Sequence, residues 1–486
     1  MTHAARERMS RVDTAWLRMD NDVNLMMIVG VWLLQPKVAY ETLCRRVADK
    51  LLKYERFRQR VSRDAAGATW VEDDEFDIHR HVVREKLVRG KGQSAREALQ
   101  ARVGELATTP LDAARPLWQF HLVENYEGGS ALVARIHHCI GDGIALISVM
   151  MTIADGGSDP PSRKRRAAST AQEDGGDWLA DAVLRPLGGL SSKAAGVVEA
   201  SIGRALDALA DPQQGLASSI EGARTVGRVL GDVAAMALMA DDSPTLLKGK
   251  PSGRKRVAWG EPIALDQVKA IGKALGCSVN DVLLACVSGA IGDWLRAQGD
   301  DPAGKEIRAM VPVNLRPLEE AWKLGNRFGL APLVLPIGIT NPVARVFAVR
   351  ARMAALKASY QPLLAFAVLA VAGQMAKPVQ DAILGLFAKK ATAVMTNVPG
   401  PVVPLKFCGA TLTQTMFWVP SSGDIGVGVS ILSYGGGVQF GLITDEALCP
   451  DPQAIVDGFE PEFEQLLLLA LLLPWESSVR EAGMLR

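Results

Sequence analysis

A strand pattern that runs directly into a glycine-flanked turn and then into a helix pattern constrains this chain most. Residues 131–138 (ALVARIHH) alternate between the two faces of a strand, so His137 and His138 point in opposite directions. Asp142 follows between two glycines, and Gly143 precedes the apolar helical pattern of residues 144–153. Glycine permits a tight turn, and Asp is a favoured helix N-cap. The pattern predicts a strand, a turn and a helix, with a histidine at the edge of the strand.

The seven residues at this junction, HHCIGDG from His137 to Gly143, are the strongest candidate for chemistry. Because the histidines face apart, they are poorly placed to share a metal ion, and we expect no metal site. The alternative is that they are ordinary strand residues and Asp142 a plain cap. Two His, one Asp and one Gly at four fixed positions arise by chance in a chain this long with a probability on the order of one in a thousand, which favours a functional interpretation.

The length of 486 residues predicts two domains and a connecting segment. Residues 158–166 (SDPPSRKRR) interrupt the strand and helix patterns, residues 177–241 are rich in Ala, Gly and Leu with helical spacing, and a second basic cluster lies at 254–256 (RKR). We therefore expect three parts: an N-terminal lobe over 1–157, a basic linker and helical crossover over 158–250, and a C-terminal lobe over 251–486.

Local patterns predict a mixed α/β chain. Two capping-box pairs, Ser94 with Glu97 and Ser278 with Asp281, each predict the start of a helix. Residues 126–129 (YEGG) predict a hairpin turn. His79 and His81 are expected on a surface strand. Further strands are predicted near 308–313, 328–336, 392–396, 413–418 and 425–443.

Charge and cysteine usage exclude several classes of protein. The 54 basic and 53 acidic side chains leave a net charge of +1, so we expect no nucleic-acid partner. The six cysteines include no C-x-x-C pair, which favours a reduced, cytoplasmic compartment. Residues 25–34 (LMMIVGVWLL) resemble a signal peptide, but the acidic residues before them and the lack of a cleavage pattern favour a buried strand. No apolar run reaches the roughly 18 residues of a membrane span.

Several segments together resemble the bacterial wax ester synthase/diacylglycerol acyltransferase family, within the condensation and chloramphenicol acetyltransferase-like superfamily. HHCIGDG matches the superfamily's HHxxxDG motif at each fixed position. The narrower family is indicated by further matches over about residues 10–470, namely PLW at 116–118, ND at 280–281, NVPGP at 397–401, VDTAWLRMD from Val12, VPVNLRP from Val311 and LGNRFG from Leu324.

The resemblance implies two chloramphenicol acetyltransferase-like lobes of mixed sheet and helices, joined by a helical crossover. It implies transfer of a fatty acyl group from acyl-CoA to a long-chain alcohol, a diacylglycerol or both, with no cofactor beyond this co-substrate. By resemblance His138 is the general base, His137 orients the motif, and Asp142 is structural and pairs with Arg316. The other implied site residues, which would line the substrate channel, are Trp118, Asn280, Asp281 and Asn397.

Direct attack of the alcohol needs no acyl-enzyme. The chain has no G-x-S-x-G elbow, and Cys139 is expected to be a packing residue rather than a nucleophile. Asn280 and Asn397 either supply oxyanion donors or shape the channel. Trp118 either contacts substrate or fills the core.

The basic clusters and the apolar runs each have more than one interpretation. The basic clusters at 163–166 and 254–256 either bind CoA or anionic headgroups or are solvated linker charge. Residues 363–373 and 226–239 either meet a membrane or lipid-droplet surface, line an acyl tunnel, or lie in the core. Two other functions compete with acyl-CoA-dependent transfer. One is a condensation-type acyltransferase that uses a carrier-protein thioester as donor, and the other is a non-catalytic protein of lipid surfaces.

Overall fold

The computed structural model describes residues 6–64, 67–157, 241–316, 323–357, 365, 380 and 389–473. Residues 158–240 of the predicted linker and crossover lie outside the described residues, including the basic cluster at 163–166 and the apolar run at 226–239; of the apolar run at 363–373, residue 365 alone is described. The elements up to residue 157 are β1 (Glu7–Arg8), α1 (Arg11–Met19), β2 (Met27–Gln35), α2 (Tyr40–Lys50), β3 (Gln59–Asp64), β4 (Gly67–Glu72), α3 (Ile78–His81), β5 (Val82–Glu85), α4 (Ala95–Thr108), β6 (Trp118–Tyr126), β7 (Gly129–His137) and α5 (Gly143–Ile153).

The described elements after residue 241 form a second series. They are β8 (Lys255–Trp259), β9 (Ile263–Ala264), α6 (Leu265–Leu275), α7 (Val279–Ala297), β10 (Ile307–Asn314), β11 (Phe328–Leu335), α8 (Pro342–Lys357), β12 (Ala393–Pro399), β13 (Lys406–Phe407), β14 (Ala410–Trp418), β15 (Val427–Tyr434), β16 (Gly437–Asp445) and α9 (Pro452–Leu472).

Two mixed sheets organise these elements. The first has the strand order β13-β14-β2-β7-β6-β5, and β2 and β7 are its central antiparallel pair. The second has the order β11-β10-β12-β15-β16-β8, with β9 beside β16, and its inner pairs β10–β12 and β12–β15 are parallel. A small sheet, β1-β4-β3, accompanies the first. The predicted mixed α/β class is confirmed, with one large sheet in each lobe.

The two series are not separate along the chain. Strand β14 belongs to the second series, but it pairs with β2 of the first series. The pairing runs from Thr411 opposite Gln35 to Trp418 opposite Val29. The C-terminal segment therefore contributes two strands to the first sheet. Local sequence patterns give no sign of this exchange, because pairing partners far apart in the chain leave no periodic signal between them.

Several local predictions are confirmed. The capping boxes Ser94–Glu97 and Ser278–Asp281 begin α4 and α7, and residues 126–129 form the β6–β7 hairpin. Residues 27–35 form the buried strand β2. The prediction for His79 and His81 is wrong: residues 78–81 form the short helix α3, and His81 is buried in stacked contact with an aromatic cluster.

The helices of the second lobe pack against its sheet. In the second lobe, α6, α7 and α9 pack on the second sheet around an apolar core that includes Leu284, Ile291 and Phe459. Within the described residues no single helix is long and apolar enough to cross a membrane, and α6 with α7 passes that test only as a pair bent by 100°.

Candidate active site

The first sheet places the HHCIGDG segment at the end of its central strand. Strand β7 ends at His137, and the backbone amide of His138 continues the pairing by donating to the carbonyl of Met26 at 2.7 Å. Asp142 then caps α5, because its Oδ1 accepts from the amide of Ala145 at 2.9 Å. The strand, turn and helix expected from the sequence are therefore formed.

His137 has both ring nitrogens engaged. Its Nε2 lies 3.1 Å from Asp20 Oδ2, and its Nδ1 accepts from the amide of Cys139 at 3.1 Å. An Nδ1 that accepts an N–H carries no proton, so the proton of the ring is on Nε2 and is donated to Asp20. Burial would raise the pKa of Asp20, but the hydrogen bonds from His137 and from the amide of Met26 bring that pKa below its usual value. His137 is held rather than available as a base.

His138 lies on the opposite side of the strand and in a different environment. Its ring stacks on Trp16 with centroids 4.2 Å apart and an interplanar angle of 15°, and it meets Phe328 at 5.4 Å. The residue is only 3% exposed, and its buried Nδ1 has no hydrogen-bond partner among the described residues. Desolvation lowers the pKa of His138 to about 4, although the nearby charge of Asp142 opposes that change. The imidazole is therefore neutral at pH 7, as a general base requires.

The carboxylate of Asp142 accepts hydrogen bonds from residues of both lobes. Arg316 Nη2 lies 2.9 Å from Asp142 Oδ2, which also accepts from the amide of Arg327 at 3.0 Å. Arg316 also donates to the carbonyl of Gly325 at 2.6 Å, so it secures the loop that precedes β11. The carboxylate of Asp142 therefore caps α5 and also bridges the two lobes. The sequence offered the helix cap and the pairing with Arg316 as alternatives, and the structure has both.

A second link between the lobes was not anticipated from the sequence. Asp13, on α1, accepts from both the amide and the side-chain Nδ2 of Asn326, at 3.0 and 2.8 Å. The same Nδ2 donates to the carbonyl of His138 at 2.7 Å. Gly325 has a φ of +99°, and a Cβ there would lie 3.3 Å from an oxygen of Asp13. The segments VDTAWLRMD and LGNRFG, which carried the resemblance without a role, thus meet at His138.

The motifs ND and NVPGP also come together. Asn397 Nδ2 donates to Asn280 Oδ1 at 2.9 Å, which joins β12 to the start of α7. Asp281 is buried and completes the capping box, since its Oδ2 accepts from the amide of Ser278 at 2.8 Å. In the described part of the chain, no hydrogen bond links Asn280 or Asn397 to His138.

Trp118 lies in the core of the first lobe. Its indole N–H donates to the carbonyl of Phe57 at 2.9 Å, and its rings contact His81 at 4.6 Å and Phe120 at 5.2 Å. The side chain is fully buried. This position favours the packing alternative over substrate contact, whereas the adjacent Leu117 borders a cavity.

Two other expectations concern Cys139 and the cluster at 254–256. Cys139 is fully buried, and burial raises the pKa of its thiol well above the usual range, so it is protonated and suited to packing. Arg254 and Arg256 both pair with Glu446, at 2.9 and 2.8 Å, and Lys255 pairs with Asp445 at 3.5 Å. The charges of this cluster are already matched by acidic partners.

A cavity of about 340 Å³ opens on the His137 face of β7. Its walls are mainly apolar, and its polar residues are Asp20, His137 and the exposed Arg63. Its volume is at the lower end of small-molecule sites. The other lining residues are Leu17, Leu25, Met27, Val61, Pro110, Leu111, Ala113 and Leu117. Among the residues that the structure describes, no cluster of three or more His, Cys, Asp or Glu could hold a metal ion.

Two mixed lobes, bridged by Asp142 and Arg316 beside a neutral strand-end histidine, define an acyltransferase of the HHxxxDG class. The model of the wax ester synthase/diacylglycerol acyltransferase catalytic domain matches residues 9–283, and the model of that family's C-terminal domain matches residues 324–467. The chain belongs to the wax ester synthase/diacylglycerol acyltransferase family.

Individual relatives agree over most of the chain. A Mycobacterium tuberculosis protein named probable diacylglycerol O-acyltransferase tgs1 is 24% identical, covering 95% of this chain and 96% of its own. The solved wax ester synthase/diacylglycerol acyltransferase of Marinobacter aquaeolei matches with a TM-score of 0.62 and 22% identity, covering 96% of this chain and 100% of its own. A condensation domain of the calcium-dependent antibiotic synthetase matches with a TM-score of 0.56 and 15% identity, covering 98% of each chain. These structural matches confirm the fold of two chloramphenicol acetyltransferase-like lobes.

Proposed function

We propose that this acyltransferase moves a fatty acyl group from acyl-CoA to the hydroxyl of a long-chain alcohol, a diacylglycerol or both. The observation that carries the proposal is the state of His138: it is neutral at pH 7, buried, and located where the two lobes meet. The names of the M. tuberculosis and Marinobacter relatives support this choice of substrates. In this mechanism acyl-CoA is a co-substrate, and no other cofactor is needed.

The proposed reaction is a direct transfer. The imidazole of His138 accepts the hydroxyl proton as the oxygen attacks the thioester carbonyl, which forms a C–O bond and a tetrahedral oxyanion. The oxyanion collapses with cleavage of the C–S bond, and the departing thiolate takes the proton from the imidazolium. The products are an ester and free CoA. The protonated, buried thiol of Cys139 supports a route without an acyl-enzyme.

His137, Asp142 and Arg316 have supporting roles in this proposal. The Asp20–His137–Cys139 bonds fix the strand end, and Asp142 with Arg316 fixes the following turn between the lobes. We propose that Asn280 and Asn397 shape the channel wall through their mutual hydrogen bond. The apolar cavity borders His137, on the opposite side of the strand from His138, so we do not assign it to the path of the acyl chain.

The direct test offers the purified protein palmitoyl-CoA with hexadecanol or with a diacylglycerol and measures CoA release and ester product. Release that depends on either acceptor supports the proposal. His138→Gln should lose nearly all turnover while its melting temperature is retained. His121→Gln is the matched control, because His121 is another buried neutral histidine, paired with Glu85 at 2.8 Å away from the motif.

Turnover by His138→Gln near that of the wild type would contradict the base assignment. A lack of CoA release with both acceptors, together with transfer from an acyl-loaded carrier protein, would replace the proposed donor. A lack of transfer from either donor would favour the non-catalytic alternative.

We further propose that the enzyme works inside the cell and meets its acceptor at a membrane or lipid-droplet surface. The end of α9 supports this, because Leu468, Leu471 and Leu472 share one face at helical spacing and are 62%, 58% and 80% exposed. Replacing these three leucines by serine should reduce flotation with triolein-containing vesicles. Turnover of a short, soluble alcohol should be unchanged, and undiminished flotation would contradict the assignment of this face.

A further inference from the structure

Trp16 lies against the catalytic imidazole in a way that neither the motif nor the family assignment explains. The near-parallel stack of Trp16 on His138, at 4.2 Å and 15°, is accompanied by a contact of 5.7 Å between Trp16 and Phe328. Phe328 itself meets His138 at 5.4 Å. The imidazole is therefore held by two aromatic side chains that come from distant parts of the chain.

Two hydrogen bonds hold the backbone of His138, and its ring packs against aromatic faces with the Asn326 side chain and the charge of Asp142 nearby. The amide of His138 donates to Met26, and its carbonyl accepts from Asn326. Within the part of the chain that the structure describes, its Nδ1 has no hydrogen-bond partner. In His137, by contrast, both ring nitrogens are hydrogen-bonded. Stacking therefore contributes to the orientation of the His138 ring, and Trp16 provides its closest aromatic face.

The stack also has an electrostatic effect. A buried imidazole resists protonation, since a charge is poorly solvated there. The face of an indole is negative and attracts a cation more strongly than a phenyl face does. An imidazolium that forms during proton transfer is therefore stabilised by the indole face of Trp16, in addition to the nearby charge of Asp142.

We propose that Trp16 is a positioning residue for acyl transfer, whose indole face fixes the plane of the His138 imidazole and stabilises the imidazolium formed when His138 accepts the hydroxyl proton. This inference rests on the proposed role of His138 as the base. It assigns a role to Trp16, which the proposed chemistry otherwise leaves without one.

The test compares the wild type with Trp16→Phe and Trp16→Leu. The value of kcat should fall in that order, by about 5- to 30-fold for the leucine variant, while KM changes little. Histidine labelled with ¹³C at Cε1 gives a readout that does not depend on activity, with the His138 signal assigned from His138→Gln. Its pKa should fall in the same order, because each step removes part of the attraction for the charged form.

Trp294→Leu is the matched control. Trp294 is as buried as Trp16, at 7% and 5% exposed, and neither indole N–H has a partner among the residues that the structure describes. Trp294 belongs to the core of the second lobe. The control should lower the melting temperature and leave the pKa of His138 unchanged.

A His138 pKa that stays constant or rises in the Trp16 variants would overturn the proposal, since simple loss of packing would admit water and raise it. If Trp16→Leu does not fold, the pKa of His138 in Trp16→Phe is compared with that of the wild type, and the same outcomes decide. A pKa that falls as expected in a protein without acyl transfer would instead overturn the proposed function and leave the stacking effect in place.

Discussion

Asp13 and Asn326, which are 313 positions apart in the chain, form a two-point contact inside the protein. One carboxylate oxygen of Asp13 accepts from the amide and from the Nδ2 of Asn326 at 3.0 and 2.8 Å, and the same Nδ2 reaches the carbonyl of His138 at 2.7 Å. Burial raises the pKa of Asp13, and the bonds from Asn326 oppose that rise. The side chain of Asn326 therefore connects the second lobe to α1, through Asp13, and to the backbone of the candidate base.

Asp13→Ala should lower the free energy of unfolding by about 1.5–3 kcal/mol, because it removes charge-assisted hydrogen bonds and leaves donors of Asn326 buried and unmatched. Urea denaturation at pH 7 measures the change. An unfolding free energy equal to that of the wild type would show that this contact does not stabilise the fold.

The exchange variant Asp13→Asn/Asn326→Asp separates stability from activity. It restores a donor and an acceptor between the two positions, but an ionised carboxylate at position 326 has no proton to donate to the carbonyl of His138. We expect recovery of the melting temperature with a kcat that stays below that of the wild type. Full recovery of kcat would make the bond to the His138 carbonyl irrelevant.

Asp142→Ala should lose thermal stability together with activity. It removes the cap of α5 and leaves the buried guanidinium of Arg316 without its carboxylate, which costs about 3–5 kcal/mol for a buried pair. Asp142→Asn retains a cap acceptor and should lose less. Differential scanning calorimetry of both variants makes the comparison, and unchanged melting of Asp142→Ala would count against a structural role.

The pH dependence of activity should reflect the pKa of about 4 at His138 rather than the ordinary 6.5. The neutral ring is the active form, so kcat/KM should stay level from pH 8 to about pH 5 and fall only below that. A half-loss of kcat/KM near pH 6.5 in the folded wild type would show that the imidazole is not desolvated as the structure indicates.

The same shift affects stability. Between pH 6.5 and 4 the unfolded chain binds a proton at His138 that the folded protein does not, so stability falls as pH falls through this window. From pH 7 to pH 5 this one group should cost about 2 kcal/mol. Urea denaturation at the two pH values should show a smaller loss for His138→Gln than for the wild type, and equal losses would argue against the prediction.

Gly289→Ala should destabilise the second lobe. A Cβ at position 289 of α7 would overlap the buried ion pair of Arg345 and Glu462. Displacing one partner of such a pair costs about 3–5 kcal/mol. Gly458→Ala on α9 is the matched control, because its Cβ would meet Ala290 at an ordinary 3.5 Å, and we expect it to be neutral or stabilising. Similar melting temperatures for the two variants would contradict the argument.

Part of the active site was accessible from short patterns. The opposite orientation of His137 and His138 follows from the alternation of residues 131–138, and Asp142 as a helix cap follows from its place between two glycines. The pairing of Asp142 with Arg316 came only from family resemblance, because no local pattern relates two residues 174 positions apart. The roles of these residues in catalysis stay predictions.

Other parts were missed for a physical reason. Asp13 and Trp16 have the appearance of an ordinary amphipathic helix, and nothing in their spacing indicates Asn326, Phe328 or His138 as partners. The same holds for β14, whose alternation predicts a strand but not its place beside β2 in the first sheet. For Trp118, the pattern could not distinguish substrate contact from the aromatic packing that the structure has.

The sequence alone determined the features that depend on neighbours within a few residues: the strand, turn and helix around HHCIGDG, the two capping boxes and the β6–β7 hairpin. Backbone hydrogen bonding and side-chain periodicity act over that range, so their signals are local. Only the tertiary structure decided which histidine is bonded to Asp20 and which is stacked on Trp16, because desolvation and long-range contacts exist only after the two lobes have packed together.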